Sequence, residues 1–281
     1  MLKNKKVAFI GAGSMAEAMI SGIVESKKIP SINVIASNRS NQDRLMELNE
    51  KYHIRTTPSS ELKLSGVDII VLAMKPKDAE KALASIQHSI QPHHLVLSVL
   101  AGISTSYLES FLPMGQQVIR VMPNTSSMMR ESATAMSLGT NVDEESIKAS
   151  KSLLACIGEV YVIPEKQMDI FTGIAGSGPA YFYYLMEHIE KAGAEAGLEG
   201  ELAREIGAQT ILGAAKMIMN QDDSPATLRK KVTSPNGTTA AGLAALRKHG
   251  GGNAISQAVK GAANRSKELS AELQREPVLA R

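Results

Sequence analysis

The chain has 281 residues, enough for two domains that each bury a core, and its formal net charge at pH 7 is +3. Hydrophobic residues make up 43% of it and aromatic residues 4%, with no tryptophan. This composition excludes a disordered chain. Because the Lys and Arg residues are spread along the chain and stacking aromatics are scarce, it also argues against a nucleic-acid partner.

The N-terminus places a basic segment before an apolar one, as a secretory signal does. Glu17 and the three glycines within the apolar part favour a different interpretation, a strand that ends in a glycine-rich turn. No other window offers the roughly 18 uncharged apolar residues that a membrane span needs. We therefore expect a cytoplasmic protein without a membrane partner.

Short apolar runs alternate with helical periodicity from Val7 to about Tyr161. The runs are VAFI, NVIAS, VDIIVLAM, HLVLSVL, QVIRVM and EVYVI. The helical patterns between them begin at Met15, Gln42, Asp78, Ser104 and Asp143. This alternation predicts an α/β protein with an N-terminal Rossmann-like, doubly wound and mostly parallel sheet.

After Pro164 the pattern changes to successive helices with no convincing strand. The helices are predicted at 167–196, 200–220, 224–232, 238–249 and 253–275. We therefore predict two domains, a dinucleotide-binding domain at 1–163 and an all-α domain at 164–281. Helices rich in Ala and Gly permit close packing and favour an interlocked oligomer.

Gly11, Gly13 and Ala16 form a G-x-G-x-x-A pattern directly after the first predicted strand. Glycines let the backbone turn tightly and approach a pyrophosphate, whose charge the N-terminus of the next helix favours. As the first strand-to-helix turn of an alternating chain, this segment, with Ser14 and Met15 inside it, predicts a dinucleotide site. The alternative is that the glycines only serve a tight turn.

The second predicted strand ends in Ser37, Asn38, Arg39 and Ser40. An NAD-dependent enzyme usually presents an acid to the ribose 2′-hydroxyl at this place, and none is present. An arginine among hydroxyl and amide donors suits a 2′-phosphate instead, because guanidinium and phosphate pair in a bidentate way. We therefore expect NADPH as the cofactor, with NADH as a weaker one, unless Arg39 is only a solvated surface residue.

Two later strand ends should lie at the same edge of the sheet, where ligands of open α/β sheets bind. The residues at these ends are Ala73, Met74, Lys75, Pro76, Ala101 and Gly102. Gly102 offers backbone without side-chain bulk and would allow close approach of a ribose or nicotinamide. A surface position before a helix explains Lys75 equally well.

The second half contains one turn with chemical character, from Ser234 to Thr239, rich in hydroxyls and leading into a predicted helix. Such a turn binds a carboxylate through N–H groups and hydroxyls. A Ser/Thr helix cap explains the spacing equally well.

Seven segments, in order and across nearly the whole chain, resemble pyrroline-5-carboxylate reductases. They are GAGSMAEAM, SNRS, LAMKP, SVLAGIS, VIRVMPNT, FTGIAGSGPAYFYYLMEHIEKAGAEAGL and VTSPNGTTAAGL. The resemblance implies a Rossmann domain, an α-helical dimerisation domain, and a homodimer or a larger oligomer built from dimers. It implies NADPH-dependent reduction of the small-molecule substrate 1-pyrroline-5-carboxylate to L-proline, the last step of proline biosynthesis.

The resemblance also implies roles for residues of the second half. It assigns carboxylate binding to Ser234, Gly237 and Thr238, and it bonds the Thr239 hydroxyl to the ring nitrogen, which makes Thr239 the orienting catalytic donor. Asp222 matches an acidic position in some relatives that supports the positive charge of the nitrogen. An acid close to a helix N-terminus also has its own explanation in the helix dipole.

Several positions depart from the pattern of that family. Asn236, inside the substrate turn, replaces a glycine; Ser60 stands where relatives often carry an asparagine near the cofactor; and Lys230 occupies a usually acidic position. The proline common after the Asn-Thr pair is also missing. Asn tolerates a left-handed conformation, so Asn236 is compatible with the turn. The departures bear on substrate range more than on reaction class.

Other chemistry is not indicated. His93 and His94 have no third ligand at metal spacing and predict a turn that enters a strand, so no metal is expected, and Cys156 is predicted as a small core residue. The alternative functions are a related imine or 3-hydroxyacid reductase and a non-catalytic, dinucleotide-binding regulatory paralogue. A 3-hydroxyacid enzyme needs a helix-borne lysine, and the helix after Pro179 offers Lys191 only at its far end.

Overall fold

The computed structural model of the chain describes residues 2–275, with side chains to residue 273. Within these residues one sheet contains eight strands. The strands are β1 (Val7–Ile10), β2 (Val34–Asn38), β3 (Arg55–Pro58), β4 (Ile69–Leu72), β5 (Leu95–Ser98), β6 (Gln117–Met122), β7 (Ser132–Leu138) and β8 (Gly158–Val162).

Helices connect these strands and make up the rest of the described chain after β8. The α-helices are α1 (Ser14–Ser26), α2 (Gln42–Tyr52), α3 (Ala79–Ile86), α4 (Thr105–Phe111), α5 (Glu144–Leu154), α6 (Met168–Phe171), α7 (Gly178–Glu195), α8 (Gly200–Asn220), α9 (Pro225–Lys231), α10 (Thr238–Lys248) and α11 (Gly251–Arg275). A π-helical turn, Thr172–Gly176, lies between α6 and α7.

The strand order in the sheet is β3-β2-β1-β4-β5-β6-β7-β8. All neighbours are parallel except β6 and β7, which are antiparallel. The chain leaves β1 toward β2 and β3 and then returns to the other side of β1 with β4, so the strand order reverses next to β1. Such a switch point leaves a crevice at the carboxyl ends of the strands, which is the ligand site of doubly wound sheets. The predicted fold class is confirmed.

Two hydrophobic cores lie on opposite faces of the sheet. Along β1, Val7 and Phe9 belong to one core, and Ala8 and Ile10 belong to the other. The first core also contains apolar residues of α1, α2 and α5, and the second contains those of α3 and α4. Because successive side chains of a strand point to opposite faces, continuous apolar runs such as VAFI are required for a strand covered by helices on both sides.

The structure corrects three details of the predicted elements. Two strands were not predicted: β3, a four-residue, partly exposed strand at the edge of the sheet, and β7, which consists mostly of small residues and pairs with β6 and β8. The helix predicted at 167–196 is interrupted by the π-helical turn and Ser177. Local patterns do not reveal these features because neighbouring elements impose them.

The described chain divides into two compact units. One contains residues 2–177 and 261–275, and the other is Gly178–Lys260. The predicted domain boundary after residue 163 lies just after β8, the last strand of the sheet. The two compact units instead divide after Ser177 and after Lys260, both within the helical part of the chain. Met1 of the predicted first domain and 276–281 of the second lie outside the described residues.

Two smaller predictions are confirmed by the fold. Cys156 is buried in the core, and His93 and His94 lie in the turn that enters β5. Across residues 2–275, none of the helices combines the length and the hydropathy that crossing a bilayer requires.

The stability of the fold should depend on the neutral form of His94, which is fully buried. Its Nδ1 accepts the Gln91 N–H at 2.9 Å, so Nε2 is the protonated nitrogen and donates to the Leu64 carbonyl at 3.2 Å. Burial lowers the pKa of His94, and neighbouring His93 lowers it further. Below about pH 6.5, His94 therefore binds a proton more readily in the unfolded chain than in the native one.

We expect the free energy of unfolding to fall as pH drops below about 6.5, by up to about 1.4 kcal/mol per pH unit from this group. Denaturant titrations at pH 7.5, 6.5 and 5.5 measure this. His94→Asn should be less stable than the parent at pH 7.5, but its free energy of unfolding should fall less on acidification. His88→Asn, at an exposed histidine, is the control and should show the same pH dependence as the parent. If acidification lowered the free energy of unfolding equally in the parent and in His94→Asn, His94 would not be the cause of the pH dependence.

Candidate active site

The glycine-rich turn joins β1 to α1 at the switch point of the sheet. Gly11 has a φ of +109°, and its N–H donates to the Ser37 carbonyl at 2.9 Å. A Cβ on Gly11 would lie 2.5 Å from the Ala73 carbonyl carbon, so only glycine fits there. Gly13 is the N-cap of α1, and a Cβ on it would meet nothing within 4 Å. The turn thus has one glycine packed against β4 and one that faces open space.

The other residues of the turn have different environments. Ser14 is exposed, Met15 is half-buried, and Ala16 is buried in the core beneath α1. Ala16 therefore serves the close packing of helix on sheet, while the amides that open α1 face the crevice side of the turn.

The end of β2 lies beside this turn, because β1 and β2 are adjacent and parallel. Asn38 Oδ1 accepts the N–H groups of Ser40 and Asn41 at 3.2 and 3.3 Å, which shapes the loop. Ser37 is buried, and its hydroxyl shares a 2.9 Å hydrogen bond with that of Ser59, which begins the 3₁₀ turn after β3. The exposed Ser60 follows it at the same edge.

Arg39, in the same loop, is largely exposed, with 72% of its side chain accessible. Its Nη1 lies 3.7 Å from Oδ1 of Asp78, which follows the end of β4. An exposed pair at that separation is weak and is easily exchanged for a phosphate. Arg39 is therefore placed where it can reach an anionic group bound at the carboxyl ends of β1 and β2.

The ends of β4 and β5 line a cavity of about 740 Å³. Four of the predicted cofactor residues contribute to it, Lys75, Pro76, Ala101 and Gly102, whereas Ala73 contacts Gly11 and Met74 packs partly against the second core. The volume is within the range of small-molecule sites. The structure therefore brings the two strand ends together, as predicted.

Sequence reasoning missed the residues that form the opposite wall of this cavity. Thr172 and Ser177 come from the ends of the π-helical turn, and Arg265, Ser266 and Leu269 come from α11. Thr172 and Ser177 lie in the segment that begins FTGIAGSGPAY, so the family resemblance could have pointed to them, whereas nothing local in the sequence links α11 to β4 and β5. A Cβ on Gly102 would lie 3.2 Å from Leu273, so the space at this glycine accommodates α11.

The π-helical turn is held by Asn124, a buried residue that follows β6. Its Nδ2 donates to the Ala175 carbonyl at 3.0 Å, and its Oδ1 accepts the Ser126 N–H at 3.0 Å. Single π-helical turns occur frequently at functional sites. This one begins at the cavity residue Thr172 and is followed by another cavity residue, Ser177. Asn124 thus connects the sheet to the cavity wall.

The predicted substrate turn lies in the Gly178–Lys260 unit, directly before α10. Gly237 is the N-cap and has no side-chain cap, and its N–H donates to the Ser234 carbonyl at 3.1 Å. The helix cap that would explain Ser234 to Thr239 without a ligand is therefore not formed. The N–H groups of the first turn of α10, which includes Thr238 and the half-buried Thr239, are consequently not satisfied by a capping side chain.

Two departures from the family pattern have clear structural consequences. Asn236 has a φ of +60°, the left-handed conformation that asparagine tolerates, so it replaces glycine without breaking the turn. Lys230 lies in the last turn of α9, where a cation complements the helix dipole.

Asp222 is exposed and precedes Ser224, whose hydroxyl caps α9, so Asp222 itself is not the cap.

In the part of the chain that the structure describes, no group of three or more His, Cys, Asp or Glu side chains is arranged to hold a metal ion. The predicted cofactor-binding residues all lie in the larger unit, and the predicted substrate-binding residues all lie in the helical one.

Two family models match the chain. One, described as pyrroline-5-carboxylate reductase dimerisation, matches residues 165–269. The other, described as NADP oxidoreductase coenzyme F420-dependent, matches residues 6–102.

Whole-length relatives carry the same name. The chain is 62% identical over 272 residues to pyrroline-5-carboxylate reductase 1 of Bacillus subtilis (strain 168), covering 97% of this chain and 92% of that protein. It is 37% identical to pyrroline-5-carboxylate reductase of Arabidopsis thaliana, covering 94% and 95% of the two chains. Among solved structures, pyrroline carboxylate reductase of Plasmodium falciparum with NADP bound superposes with a TM-score of 0.86 at 30% identity, covering 96% of this chain and 100% of that one.

Proposed function

This chain belongs to the pyrroline-5-carboxylate reductase family, and from that membership we propose which residues perform its reaction. It is an NAD(P)H-dependent oxidoreductase that acts on a C=N bond and reduces 1-pyrroline-5-carboxylate to L-proline. The observation that carries this function is the match at 62% identity across 97% of the chain. We propose that the glycine-rich turn and its neighbouring strand ends bind NADPH, and that Ser234–Thr239 bind the substrate.

The residues at the switch point fit a dinucleotide. Gly11 packs against β4 where no side chain has room, and Gly13 leaves the N-terminus of α1 open to a pyrophosphate. Arg39, Ser40 and Ser60 would surround the 2′-phosphate, and the cavity beyond Lys75 would receive the nicotinamide end. Bound NADPH would supply the hydride that reduction of the C=N bond requires.

The substrate turn performs its part by positioning. The carboxylate of the substrate would be held by the Ser234 hydroxyl and the Thr238 N–H, at a helix N-terminus that favours negative charge. Gly237 would shape this site through its backbone, because its own N–H donates to the Ser234 carbonyl. The Thr239 hydroxyl would then orient the ring nitrogen. Because a neutral hydroxyl is a poor acid, its role is to orient the protonated imine and to relay a proton from water. Asp222 would support the positive charge of the nitrogen.

We propose that the enzyme is a homodimer, or a larger oligomer built from dimers, that acts in the cytoplasm. The helical unit exposes large apolar side chains on two long helices, among them Phe182, Tyr183 and Tyr184 of α7 and Leu202 and Ile206 of α8. Large apolar side chains exposed together in this way are typical of a protein interface. Sedimentation at micromolar concentration tests the assembly, and a monomer would contradict it.

A parallel assay tests the function. NADPH oxidation is followed with pyrroline-5-carboxylate and with pyrroline-2-carboxylate, and NADP⁺ reduction with a 3-hydroxyacid. Turnover should be highest with pyrroline-5-carboxylate. Preference for either of the other compounds would assign a different reductase, and tight NADPH binding without turnover would assign a regulatory protein.

The cofactor preference should depend on Arg39. Arg39→Gln removes a charge-assisted contact to the 2′-phosphate and is expected to lower kcat/KM for NADPH about 10-fold while leaving that for NADH unchanged. Asp78→Asn is the matched comparison, because it frees Arg39 from its present partner and should maintain or increase the NADPH preference. Equal losses with both cofactors in Arg39→Gln would place Arg39 outside the 2′-phosphate site.

A further inference from the structure

Arg44, on the first turn of α2, directs its whole guanidinium group at the protein rather than at solvent. Its Nε donates to the Ala12 carbonyl at 3.0 Å, its Nη2 pairs with Glu17, and its Nη1 lies 2.7 Å from Oε2 of Glu47. Ala12 stands between the two glycines of the dinucleotide turn and is buried. One side chain therefore connects α2, α1 and the turn itself.

The position of this guanidinium is fixed by a buried carboxylate. Glu17 is 9% exposed, and its other oxygen accepts hydrogen bonds from Lys51 Nζ and the Tyr52 hydroxyl, both at 2.9 Å. Burial by itself raises the pKa of Glu17, but the hydrogen bonds from Lys51, Arg44 and Tyr52 lower it to about 2. Glu17 thus stays charged at neutral pH and holds Arg44 in one orientation.

The consequence for the turn follows from the geometry of the peptide bond. The Ala12 carbonyl and the Gly13 N–H belong to one peptide unit, and the described chain contains no cis peptide bond. In a trans unit these two groups point in opposite directions. A carbonyl held against Arg44 therefore directs the Gly13 N–H away from Arg44, and a Cβ placed on Gly13 would meet no atom within 4 Å, so the backbone here is open to approach.

We propose that Arg44 is a positioning residue for cofactor binding, which aims the Gly13 N–H at the pyrophosphate by holding the Ala12 carbonyl. The proposal rests on the proposed function, because it requires a dinucleotide in this turn. Arg44 does not bind the phosphate as a cation, because its charge is balanced by Glu17 and Glu47 and its donors are engaged with them and with Ala12. Lysine cannot replace it, since a single ammonium lacks the planar fork that reaches both the carbonyl and the carboxylates.

The test measures NADP⁺ binding by titration calorimetry, together with the thermal midpoint and the separate KM values for NADPH and for the imine. Arg44→Lys keeps the charge but loses the fork, and it should raise the Kd for NADP⁺ and the KM for NADPH about 10-fold. The KM for the imine and kcat at saturating NADPH should stay within about twofold, because the substrate turn is untouched.

Lys51→Met is the matched control, because Lys51 also bonds Glu17 but has no contact with Ala12 in the described hydrogen bonds. It should lower the thermal midpoint and leave the Kd for NADP⁺ within about twofold. If Arg44→Lys is too unstable, the double variant Glu17→Gln/Arg44→Met removes both buried charges, and it should also bind NADP⁺ about 10-fold more weakly.

An unchanged Kd in the Arg44 variants, or an equal rise in Lys51→Met, would overturn the positioning role. Failure of the proposed function has a separate signature, because the parent protein would then bind no NADP⁺ and reduce no imine before any variant is compared.

Discussion

Thr239→Ala should reduce kcat/KM for pyrroline-5-carboxylate by about 10²-fold while leaving the Kd for NADP⁺ unchanged. The variant loses the hydroxyl proposed to orient the ring nitrogen, and a misoriented imine reaches the reactive geometry less often. Thr239 is the second residue of α10 and alanine favours helix, so the thermal midpoint should not fall. Steady-state kinetics and calorimetry measure the three quantities.

Thr239→Ser is the matched control for that variant. It keeps the hydroxyl and removes only a methyl group, so it should retain most of the activity. Full catalytic efficiency in Thr239→Ala would show that the hydroxyl has no part in the reaction, and the assignment carried by the family resemblance would then be wrong for this chain.

The second large effect is expected from Gly11→Ala, which should lower the free energy of unfolding by about 3 kcal/mol or more. The added Cβ would lie 2.5 Å from the backbone of Ala73, at a φ of +109° that alanine rarely adopts. Ala73 has little room to move, because its N–H donates to the Ile10 carbonyl at 2.9 Å. Denaturant titration measures the loss, and NADP⁺ binding should be lost with it.

Gly13→Ala separates folding from cofactor binding in the same turn. Its Cβ would face open space at a φ of −77°, so the free energy of unfolding should fall by no more than about 1 kcal/mol, the cost of alanine at a helix N-cap. NADP⁺ affinity should nevertheless fall, because the methyl group occupies the side from which a pyrophosphate approaches the backbone. If both variants destabilised the fold equally, the contact between Gly11 and β4 would not be the cause.

The candidate cofactor site was largely predictable because it consists of strand ends. Each apolar run is a local signal, and in a parallel sheet the carboxyl ends of all strands meet at one edge. Gly11, Arg39 and Lys75 could therefore be assigned to one site without knowing the strand order. The role of Ser234–Thr239 was different, because its spacing fitted a helix cap equally well and only the resemblance to a family favoured a ligand.

Two features of the cofactor edge were not predictable in this way. Arg44 has the appearance of an ordinary helix residue in the sequence, and its contact with Ala12 joins positions separated by 32 residues. The cavity wall formed by α11 depends on contacts between distant parts of the chain. One of them is the 2.7 Å hydrogen bond from the Ser266 hydroxyl to Asp169, which joins residues 97 positions apart.

The sequence by itself determined the alternation of strands and helices, the all-helical second half and the glycine-rich turn, because period, turn chemistry and propensity act between residues close in the chain. Only the tertiary structure decided that β7 runs antiparallel to β6, that α11 lines the cavity beside β4 and β5, and that Arg44 contacts the Ala12 carbonyl. These outcomes depend on which surfaces remain to be covered and which buried polar groups need partners once the elements pack together.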